Sequence, residues 1–583
     1  MMKKTTLILM ILFLAVLSGA QADPKVTFKE VTEQAGLDMA DDLGVHGVAT
    51  GDLNGDGFID MVVAHTFAPN YIYLNQGNKT FQKTELESDN YMTHQVLLVD
   101  IDNDGDLDLV TSSSHIDYRN KLFLNDGYGN FSYRGSALDN RDGKSRGITA
   151  SDFDLNGDLD LYAVNFFLPN FLYINEGGVL YERASYWNCT DFSASKSGSQ
   201  GVVSADVNQD GWPDIYIAKQ QQSTSADQPN ILYINQGGRF LDRAAAYGID
   251  HPNNNGVTLS DLDNDGDLDV LLANQHHNNN IIVYQNMGGY FLEMTQQLKI
   301  RGNAVGLFSV VTGDVNNDGW KDIFMVGYYG ICRLILNHGN WSFQKLEDTG
   351  VEVYRASGRS ASFFDYDNDG DLDLVTTAYP RTTLLFENTT ARDNGYLFLT
   401  FYNRRDQHSP YGTKVSLYPN ACAAGTPDQF RELISTQAYL SQPSTRMHFG
   451  LGGATAVSLR IDHPGGGTDY VFDLPADSYQ TLGKIPSIGI TEVRRTTDDS
   501  WLKSFLVDYF QIELPRDPGV DKIYVYRKPL DQPNSRYRLV REISGYRQGI
   551  AVEVEEEIPY EYALFYTTEN LQRSYVTFVK SGW

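Results

Sequence analysis

Seven short stretches of the sequence carry carboxylate and amide side chains at a spacing that suits metal coordination. Each follows the form D-x-[DN]-x-[DN]-G-x-x-D or one close to it, and DIDNDGDLD at residues 100–108 contains five aspartates in nine residues. Like charges this close repel one another unless a cation neutralises them. Calcium accepts six to eight oxygen ligands in flexible geometry, whereas magnesium demands rigid six-coordination and keeps its waters. The spacing therefore predicts calcium.

Each nonapeptide offers side-chain oxygens at positions 1, 3, 5 and 9. Position 7 varies in type, so its backbone carbonyl is the expected ligand, and glycine at position 6 permits a tight turn. The sequence predicts up to seven calcium ions in these hairpin loops. The expected ligand residues are Asp52, Asn54, Asp56, Phe58 and Asp60; Asp100, Asp102, Asp104, Asp106 and Asp108; Asp152, Asp154, Asn156, Asp158 and Asp160; Asp206, Asn208, Asp210, Trp212 and Asp214; Asp261, Asp263, Asp265, Asp267 and Asp269; Asp314, Asn316, Asp318, Trp320 and Asp322; and Asp365, Asp367, Asp369, Asp371 and Asp373.

These stretches are not EF-hand loops, although their first six residues have the same spacing. An EF-hand loop needs Glu at position 12, and that position holds Val63 in the first copy and Thr111 in the second. The other five copies also lack an acidic residue there, and the flanking patterns are those of strands. Both the EF-hand and the dockerin interpretations therefore fail. The remaining alternative, ordinary solvated turns, is disfavoured because all seven copies occupy the same place in a repeat.

The nonapeptides recur every 48 to 55 residues, which is the period of a propeller or an array. Short β-branched and aromatic runs, separated by glycine and asparagine turns, surround each one and predict four strands per repeat. Four strands per repeat describe a propeller blade. The seventh repeat lacks a fourth strand, and VTFKEVTEQAGL at residues 27–38 supplies the matching pattern. We therefore expect the N-terminal strand to complete the last blade and remove its open edge.

The N-terminus reads as a secretory signal peptide. Lys3 and Lys4 precede an apolar run, and small residues follow near Ala22, where cleavage is expected. No later apolar run reaches the ~20 residues that a spanning helix needs. The formal net charge of −29 argues against binding to nucleic acid or to an anionic membrane. The mature protein is therefore expected to be secreted or periplasmic. Three cysteines leave one disulfide possible but form no disulfide scaffold.

Two family resemblances follow from these motifs. The repeated nonapeptides between the first two strands of each blade resemble the calcium-binding FG-GAP blades of integrin α-subunits. The stretches YGTKVSLY, RELISTQAYLSQ and HFGLGGATAVSLRIDHPGG, within residues 411–466, resemble the ASPIC/UnbV domain of the cartilage acidic protein family. That domain usually ends its tip with Trp-Pro-Ser-Gly, whereas this chain has His-Pro-Gly-Gly from His463. The resemblance implies an extracellular calcium-binding protein with an adhesive role and without established catalytic residues.

The predicted fold is all-β: a seven-bladed β-propeller, a β-rich ASPIC/UnbV domain and a small C-terminal β-sandwich that weakly resembles a fibronectin type III domain. The expected boundaries are 1–22 for the signal peptide, 23–392 for the propeller, 393–487 for the ASPIC/UnbV domain and 488–583 for the sandwich. The sandwich is predicted because short runs with alternating apolar residues follow residue 490.

A second candidate site lies on the propeller face opposite the calcium loops. Six residues before each nonapeptide, at the start of the innermost strand, stand mostly polar residues: His46, His94, Arg146, Gln200, Asn255, Phe308 and Arg359. Seven-fold closure brings them to one mouth of the central channel. His46, His94, Arg146, Gln200 and Arg359 could hold an anionic or sugar-like ligand, or they could simply be strand ends that face a wet channel.

The sequence favours a non-enzymatic protein for extracellular adhesion or recognition, with an extracellular protein or glycan as its partner. It contains no G-x-S-x-G elbow and no H-E-x-x-H motif, and the aspartate pairs are better explained as metal ligands than as acid–base partners. The alternative is an exported carbohydrate-active or redox enzyme on the same scaffold, with its site at the channel mouth.

Overall fold

The computed structural model describes most of the chain between residues 25 and 580. The described ranges are 25–37, 44–86, 92–115, 119–138, 144–166, 168–191, 197–221, 229–252, 254–274, 281–298, 306–327, 332–352, 357–379, 382–391, 394–401, 410–419 and 427–482, together with the strand backbones between 489 and 580. The expected signal peptide lies outside the described residues, as does Cys422. Cys189 and Cys332 are free and buried.

Seven four-stranded antiparallel sheets form the first and largest part of the protein. An N-terminal strand, β1 (Phe28–Glu30), precedes them. Their strands are β2 (Val45–Gly51), β3 (Asp60–His65), β4 (Tyr71–Asn75) and β5 (Phe81–Glu85); β6 (Thr93–Val99), β7 (Asp108–Ser113), β8 (Lys121–Asn125) and β9 (Phe131–Tyr133); β10 (Ser145–Ser151), β11 (Asp160–Asn165), β12 (Phe171–Asn175) and β13 (Leu180–Glu182); β14 (Ser197–Ala205), β15 (Asp214–Gln221), β16 (Ile231–Asn235) and β17 (Phe240–Asp242); β18 (Asn254–Ser260), β19 (Asp269–Asn274), β20 (Ile281–Asn286) and β21 (Phe291–Glu293); β22 (Leu307–Gly313), β23 (Asp322–Gly327), β24 (Arg333–Asn337) and β25 (Phe343–Lys345); and β26 (Ser357–Phe364), β27 (Asp373–Tyr379) and β28 (Thr382–Asn388).

Each sheet is one blade. In the first six blades the strands run in chain order from the inside of the ring to the outside, and in the seventh β26, β27 and β28 do so with β1 as the outermost strand. The first two strands are β-branched and apolar and are buried along almost their whole length, whereas the fourth strand is short and largely exposed. Burial on both faces explains why the inner strands read as continuous apolar runs. The only helical turns in the described blades are a 3-10 turn at Gly135–Leu138 and α1 at Ala244–Tyr247. The predicted all-β fold with repeated four-stranded blades is confirmed.

The N-terminal strand closes the ring as the sequence predicts. Strand β1 pairs antiparallel with β28, with Phe28 opposite Asn388, and so becomes the fourth strand of the seventh blade. The residues that follow continue into the first blade, where the Phe81 amide donates to the Ala35 carbonyl at 2.9 Å. Chain start and chain end of the propeller are therefore joined by hydrogen bonds on both sides of the seam.

Seven further strands form a middle domain at residues 395–482. They are β29 (Gly395–Phe401), β30 (Lys414–Pro419), β31 (Gln429–Glu432), β32 (Met447–Gly452), β33 (Ala456–Asp462), β34 (Thr468–Pro475) and β35 (Ser478–Leu482). They make a sheet in the order β32-β29-β35 and another in the order β31-β30-β33-β34. One hydrophobic cluster contains Ile101 and Leu159 of the propeller loops together with Leu399 and Phe449 of the middle domain, so the two units share a core.

The C-terminal part consists of two antiparallel sheets. Its strands are β36 (Gly489–Thr497), β37 (Leu506–Glu513), β38 (Val520–Pro529), β39 (Arg538–Ser544), β40 (Ile550–Glu555), β41 (Tyr560–Thr568) and β42 (Thr577–Lys580). The sheet orders are β36-β37-β40 and β39-β38-β41-β42. Strand β40 follows β39 of the second sheet in the chain but pairs with β37 of the first sheet. Such crossing connections between sheets are typical of a two-sheet sandwich. Among the described residues, no helix is long and apolar enough to cross a membrane.

Candidate metal centres and the channel between them

The seven nonapeptides form carboxylate loops that connect the first and second strands of each blade and share one backbone conformation. The residue at position 4 is left-handed in every loop, with φ between 54° and 72°. The glycine at position 6 has φ between 87° and 100°. Asparagine tolerates the left-handed region better than most residues, and it occupies position 4 in four loops. Position 4 is thus a second conformational requirement, in addition to the glycine.

The turn closes around the carboxylate at position 1. In all seven loops the amide of the position 6 glycine donates to Oδ2 of the first aspartate, at 2.7 to 3.2 Å. This contact bends the chain back over its own start. In four loops the carboxylates at positions 1 and 3 share one centre, with position 9 as the third member in three loops and position 5 in one. The hydrogen bond explains why the first position is Asp rather than Asn in every copy, since a carboxylate accepts more strongly than an amide.

The aspartate at position 9 anchors each loop to its blade. Its Oδ2 accepts from the amide of position 2 at 2.8 to 3.1 Å. Its Oδ1 accepts from the amide of the asparagine that ends the third strand, at 2.7 to 3.0 Å. Burial raises the pKa of all seven of these carboxyl groups, that of Asp60 to about 7 and that of Asp108 to about 8. A nearby cation would favour their charged form.

The same asparagines join each blade to the preceding one. Their side-chain Nδ2 donates to the carbonyl at loop position 2 of the preceding blade, at 2.6 to 3.0 Å. The pairs are Asn125 to Leu53, Asn175 to Ile101, Asn235 to Phe153, Asn286 to Val207, Asn337 to Leu262, Asn388 to Val315 and, across the closure, Asn75 to Tyr366. A continuous ring of hydrogen bonds therefore holds the seven loops in fixed relative positions.

Four loops bring three carboxylates within coordination distance of one another. Their ligand atoms lie within 4.8 Å, and the groups are Asp100, Asp102 and Asp108; Asp152, Asp154 and Asp160; Asp261, Asp263 and Asp265; and Asp365, Asp367 and Asp373. The other three loops carry asparagine at position 3, and its Nδ2 donates to the aspartate at position 5 at 2.9 to 3.1 Å. Asp367 also pairs with Lys79 of the first blade at 2.6 Å.

The loop that begins at Asp261 gives the sharpest test of whether a cation fits. Oδ1 of Asp261, of Asp263 and of Asp267 are each buried and have no hydrogen-bond partner. Buried polar atoms almost always have a partner, so three orphaned carboxylate oxygens in one loop need a ligand. Burial raises the pKa of Asp261 to about 7 and that of Asp267 to about 8. An all-oxygen donor set of this kind fits calcium, and Asp261, Asp263, Asp265, Asp267 and Asp269 would hold it.

The middle domain sits on the face that carries these loops. Lys414 Nζ lies 2.6 Å from Oδ2 of Asp206, and the Tyr479 hydroxyl donates to Oδ2 of Asp365. Both acceptors are the first aspartates of their loops. The loop face is therefore covered over part of its area, and the middle domain contributes hydrogen-bond donors to the carboxylates that form the loops.

Two arginines of the middle domain bind equivalent junctions between neighbouring loops. Arg446 donates to Oδ1 of Asn368 and to the Gly57 carbonyl, both at 2.7 Å. Arg431 reaches Oδ1 of Asn264 at 3.4 Å and the Gly319 carbonyl at 3.5 Å. In each case the partners are position 4 of one loop and position 6 of the next. The middle domain therefore contacts the same loop geometry twice, two blades apart.

Residues 435–442 of the middle domain, the plug, enter the central channel and contact every blade. The contacts join Ser435 to Ala150, Thr436 to Val202, Ala438 to Val257, Tyr439 to Ser309, Ser441 to Ser360, and Gln442 to both Val48 and Leu98. Oε1 and Nε2 of Gln442 pair with the amide and carbonyl of Leu98 at 2.6 and 2.7 Å. The plug thus satisfies backbone groups of the innermost strands, which have no neighbouring strand on the channel side.

Small residues in the innermost strands make room for the plug. A Cβ on Gly256 would lie 2.8 Å from the Tyr439 amide and 2.9 Å from the Ala438 carbonyl carbon. A Cβ on Gly201 would lie 2.6 Å from the Asn255 carbonyl oxygen and 3.1 Å from that of Ala438. Both glycines follow directly after a residue of the channel mouth. The absence of a side chain at these glycines therefore allows the plug backbone to approach the innermost strands closely.

We expect Gly256→Ala to lower the free energy of unfolding by about 1–3 kcal/mol, because the new methyl group overlaps the plug backbone. Chemical denaturation monitored by circular dichroism measures this change. Gly453→Ala is the matched control, since a Cβ there meets nothing within 4 Å. Equal stability of the two variants would contradict the close approach of the plug.

Four of the predicted channel-mouth residues, His46, His94, Arg146 and Arg359, lie near one another. His46 and His94 are buried, and their rings stack at 4.3 Å between centroids. Arg146 Nη1 lies 2.7 Å from Nδ1 of His94, and the Arg359 guanidinium lies 4.2 Å from the Phe308 ring centroid. Gln200 instead donates to Gln220 at 2.8 Å, and Asn255 donates to the Leu307 carbonyl at 3.3 Å.

Both the propeller repeats and the middle domain match known protein families. The FG-GAP-like repeat model matches residues 52–111, 100–163, 206–272, 261–325 and 314–376, and the ASPIC and UnbV model matches residues 403–487. The chain contains FG-GAP-like repeats and an ASPIC and UnbV domain. That domain is the middle domain described above.

Individual proteins that align with this chain are distant in sequence. Human cartilage acidic protein 1 is 25% identical over 46% of this chain and 41% of its own length, and chicken integrin alpha-6 is 26% identical over 24% of this chain and 13% of its own. The chain thus spans about two fifths of the length of the first of these. A crystal structure of BBS1N in complex with ARL6DN covers 61% of this chain and 96% of that chain, with a TM-score of 0.38 and 12% identity.

Sequence patterns did not identify the residues that the ASPIC and UnbV domain brings to the FG-GAP loops. Lys414, Arg431, Arg446 and Tyr479 are scattered over the domain, and no spacing rule connects them to the loops. The third-strand asparagines were visible as a repeated strand ending, but that pattern reads equally well as a turn signal. The plug residues lie within RELISTQAYLSQ, which indicates a family resemblance but not a position in the channel.

Proposed function

We propose that this protein is an exported calcium-binding β-propeller that acts in extracellular adhesion or recognition, with calcium as a structural element of its loops. The three orphaned carboxylate oxygens in the loop from Asp261 are the observation that carries the calcium assignment. The four three-carboxylate groups extend it to other blades, and the common backbone of all seven loops supports up to seven ions. The N-terminal basic and apolar stretch supports export.

The proposed role of calcium is to neutralise the loops so that other parts of the protein can pack on them. The seven loops contain 28 of the 75 acidic residues of the chain. The ASPIC and UnbV domain places Lys414, Arg431, Arg446 and Tyr479 against these loops and shares a hydrophobic core with them. Bound calcium would supply charge neutralisation and fix the loop oxygens, and the chain's own residues would provide the packing.

Adhesion or recognition is proposed because of the kind of proteins that share these repeats. Chicken integrin alpha-6 and human cartilage acidic protein 1 both align with this chain. A rigid ring with one face covered by the ASPIC and UnbV domain leaves the opposite face and the blade edges for a partner. The proposed partner is an extracellular protein or glycan, and the net charge of −29 disfavours nucleic acid.

Metal analysis of the purified protein tests the calcium assignment. We expect at least four and up to seven calcium ions per chain by mass spectrometry of the desalted protein, in line with the four carboxylate groups. Asp263→Ala should remove one ion, because it deletes both side-chain oxygens that position 3 supplies to one group. Asp250→Ala is the matched control, since Asp250 is exposed and outside every loop. Fewer than four ions in the unmodified protein would contradict the assignment.

Binding assays test the recognition part separately. The calcium-loaded protein should retain a ligand on a glycan array or among purified extracellular matrix proteins, without chemical turnover of that ligand. Turnover of a bound glycan would instead favour the enzyme alternative. Absence of any retained ligand across both panels would contradict a role in adhesion or recognition.

A further inference from the structure

The channel mouth is built by a β-bulge that recurs in all seven blades. The strand register shifts at His46, His94, Arg146, Gln200, Asn255, Phe308 and Arg359, so that each of these residues lies within an irregularity of the first strand pair. A bulge leaves one residue unpaired and re-aims its side chain, and such features are common next to binding sites. The mouth residues are thus directed by the backbone and are not ordinary strand ends.

The tip of the plug packs against the residues of the channel mouth. The Tyr439 ring stacks on Phe308 with 5.2 Å between centroids, and Phe308, Tyr439 and Leu440 form one buried cluster. A Cβ on Gly47 would lie 2.8 Å from the Leu440 carbonyl and 2.7 Å from the His94 carbonyl. The tip of the plug therefore lies directly against the strands that carry the mouth residues and forms a floor beneath them.

The mouth concentrates positive charge in a strongly acidic protein. Among the described residues, Arg146 has no carboxylate partner: Nη1 contacts His94, the guanidinium lies 4.8 Å from the Phe166 ring centroid, and Nε is buried without a hydrogen-bond partner. Burial, and then the charges of Arg146 and Arg359, lower the pKa of His46 and His94 well below the usual range. Both imidazoles are thus neutral, and each can donate one N–H.

We propose that the channel mouth binds the oxyanion group of an acidic ligand, a carboxylate, sulfate or phosphate, between Arg146 and Arg359, with His46 and His94 as neighbouring donors and the plug tip as floor. Planar guanidinium groups suit such oxygens because they donate two parallel hydrogen bonds. A transition metal fits less well, since two arginines beside the stacked histidines would repel it. The site goes beyond the calcium role and needs both the propeller and the ASPIC and UnbV domain.

Titration calorimetry with inorganic sulfate, inorganic phosphate and glucuronate tests the proposal on the calcium-loaded full chain, with potassium chloride fixing the ionic strength. We expect saturable binding of at least one of the three anions. Arg146→Gln and Arg359→Gln should each weaken it about tenfold, as expected when one charge-assisted hydrogen bond is lost. The matched control is Arg183→Gln, which removes the same charge from a guanidinium over Tyr181 on the outer strand of the third blade.

Two further measurements distinguish loss of anion binding from damage to the fold. Calcium content and melting temperature are measured for each variant, so that loss of the metal sites is distinguished from loss of anion binding. In the unmodified protein, imidazole NMR signals of His46 and His94 should shift when sulfate or phosphate is added, which requires no variant to fold. Equal affinity in Arg146→Gln, Arg359→Gln and Arg183→Gln, or no binding of any of the three anions, would overturn the proposal.

Discussion

Chelation of calcium is expected to lower the melting temperature of the protein sharply and to loosen the ASPIC and UnbV domain from the propeller. An ion present at one hundred times its dissociation constant stabilises the folded state by about 2.7 kcal/mol per site. Loss of the ions from the four carboxylate groups would therefore remove on the order of 10 kcal/mol. Repulsion among the freed carboxylates acts in the same direction.

The ASPIC and UnbV domain should respond because its contacts fall on the loops themselves. Arg431 and Arg446 bind loop backbone carbonyls, and those carbonyls belong to the position 6 glycines, which have positive φ in the loop turn. When the loops relax, these acceptors move and the domain loses its polar contacts. Residues 427–482 should then become more accessible to protease, while the outer strands of the blades stay protected.

Thermal scanning with and without chelator, followed by tryptophan fluorescence, measures both effects. Trp212 and Trp320 occupy position 7 of their loops, and Trp341 Nε1 donates to Asp263 Oδ2 at 2.9 Å. Half of the six tryptophans thus report on loop structure. Calcium should restore the native spectrum and magnesium should not, because magnesium requires a more rigid geometry. An unchanged melting temperature in chelator would contradict a structural role for calcium.

The repeat could be predicted from sequence because it combines two local signals that agree. The nonapeptide spacing and the four-strand pattern recur with one period, and the missing fourth strand of the seventh repeat pointed to β1. The sequence predicted the loop conformation at position 6 but not at position 4. Glycine at position 6 is a recognisable turn signal, but position 4 holds Gly55, Leu155 and Gln209 as well as asparagine, so its left-handed backbone is hidden by varied side chains.

The plug and its receiving surface could not be predicted, because they depend on contacts between residues far apart in the sequence, 81 positions for Ser360 and Ser441 and 344 for Leu98 and Gln442. The residues around Gly201 and Gly256 do not indicate a packing role in the sequence, and only the positions of Ala438 and Tyr439 reveal it. The mouth residues were found by their common phase in the repeat. The β-bulge that aims them produces no residue pattern of its own, since the seven positions differ in type.

Removal of residues 25–37 is expected to be about as destabilising as loss of calcium. This segment supplies the fourth strand of the seventh blade and buries Val26, Phe28, Val31 and Leu37. Full burial of such side chains contributes about 1.5–3 kcal/mol each, so the deletion should cost about 6–12 kcal/mol. It also exposes β28 as a free edge, which favours aggregation. Thermal unfolding and size-exclusion chromatography measure both consequences.

Point variants on β1 separate ring closure from general damage. Phe28→Ala should lower the free energy of unfolding by about 3–5 kcal/mol, because Phe28 packs in the cluster that joins the sixth and seventh blades. Lys29→Ala is the matched control, since Lys29 is exposed and its backbone pairs with Glu387 in the same register. A synthetic peptide of residues 25–37 should rebind the truncated protein and raise its melting temperature, because the β28 edge and the pocket for Phe28 are otherwise complete. If truncation left the melting temperature unchanged, the seventh blade would not depend on β1, and the ring would be held only by the asparagine contacts and the plug.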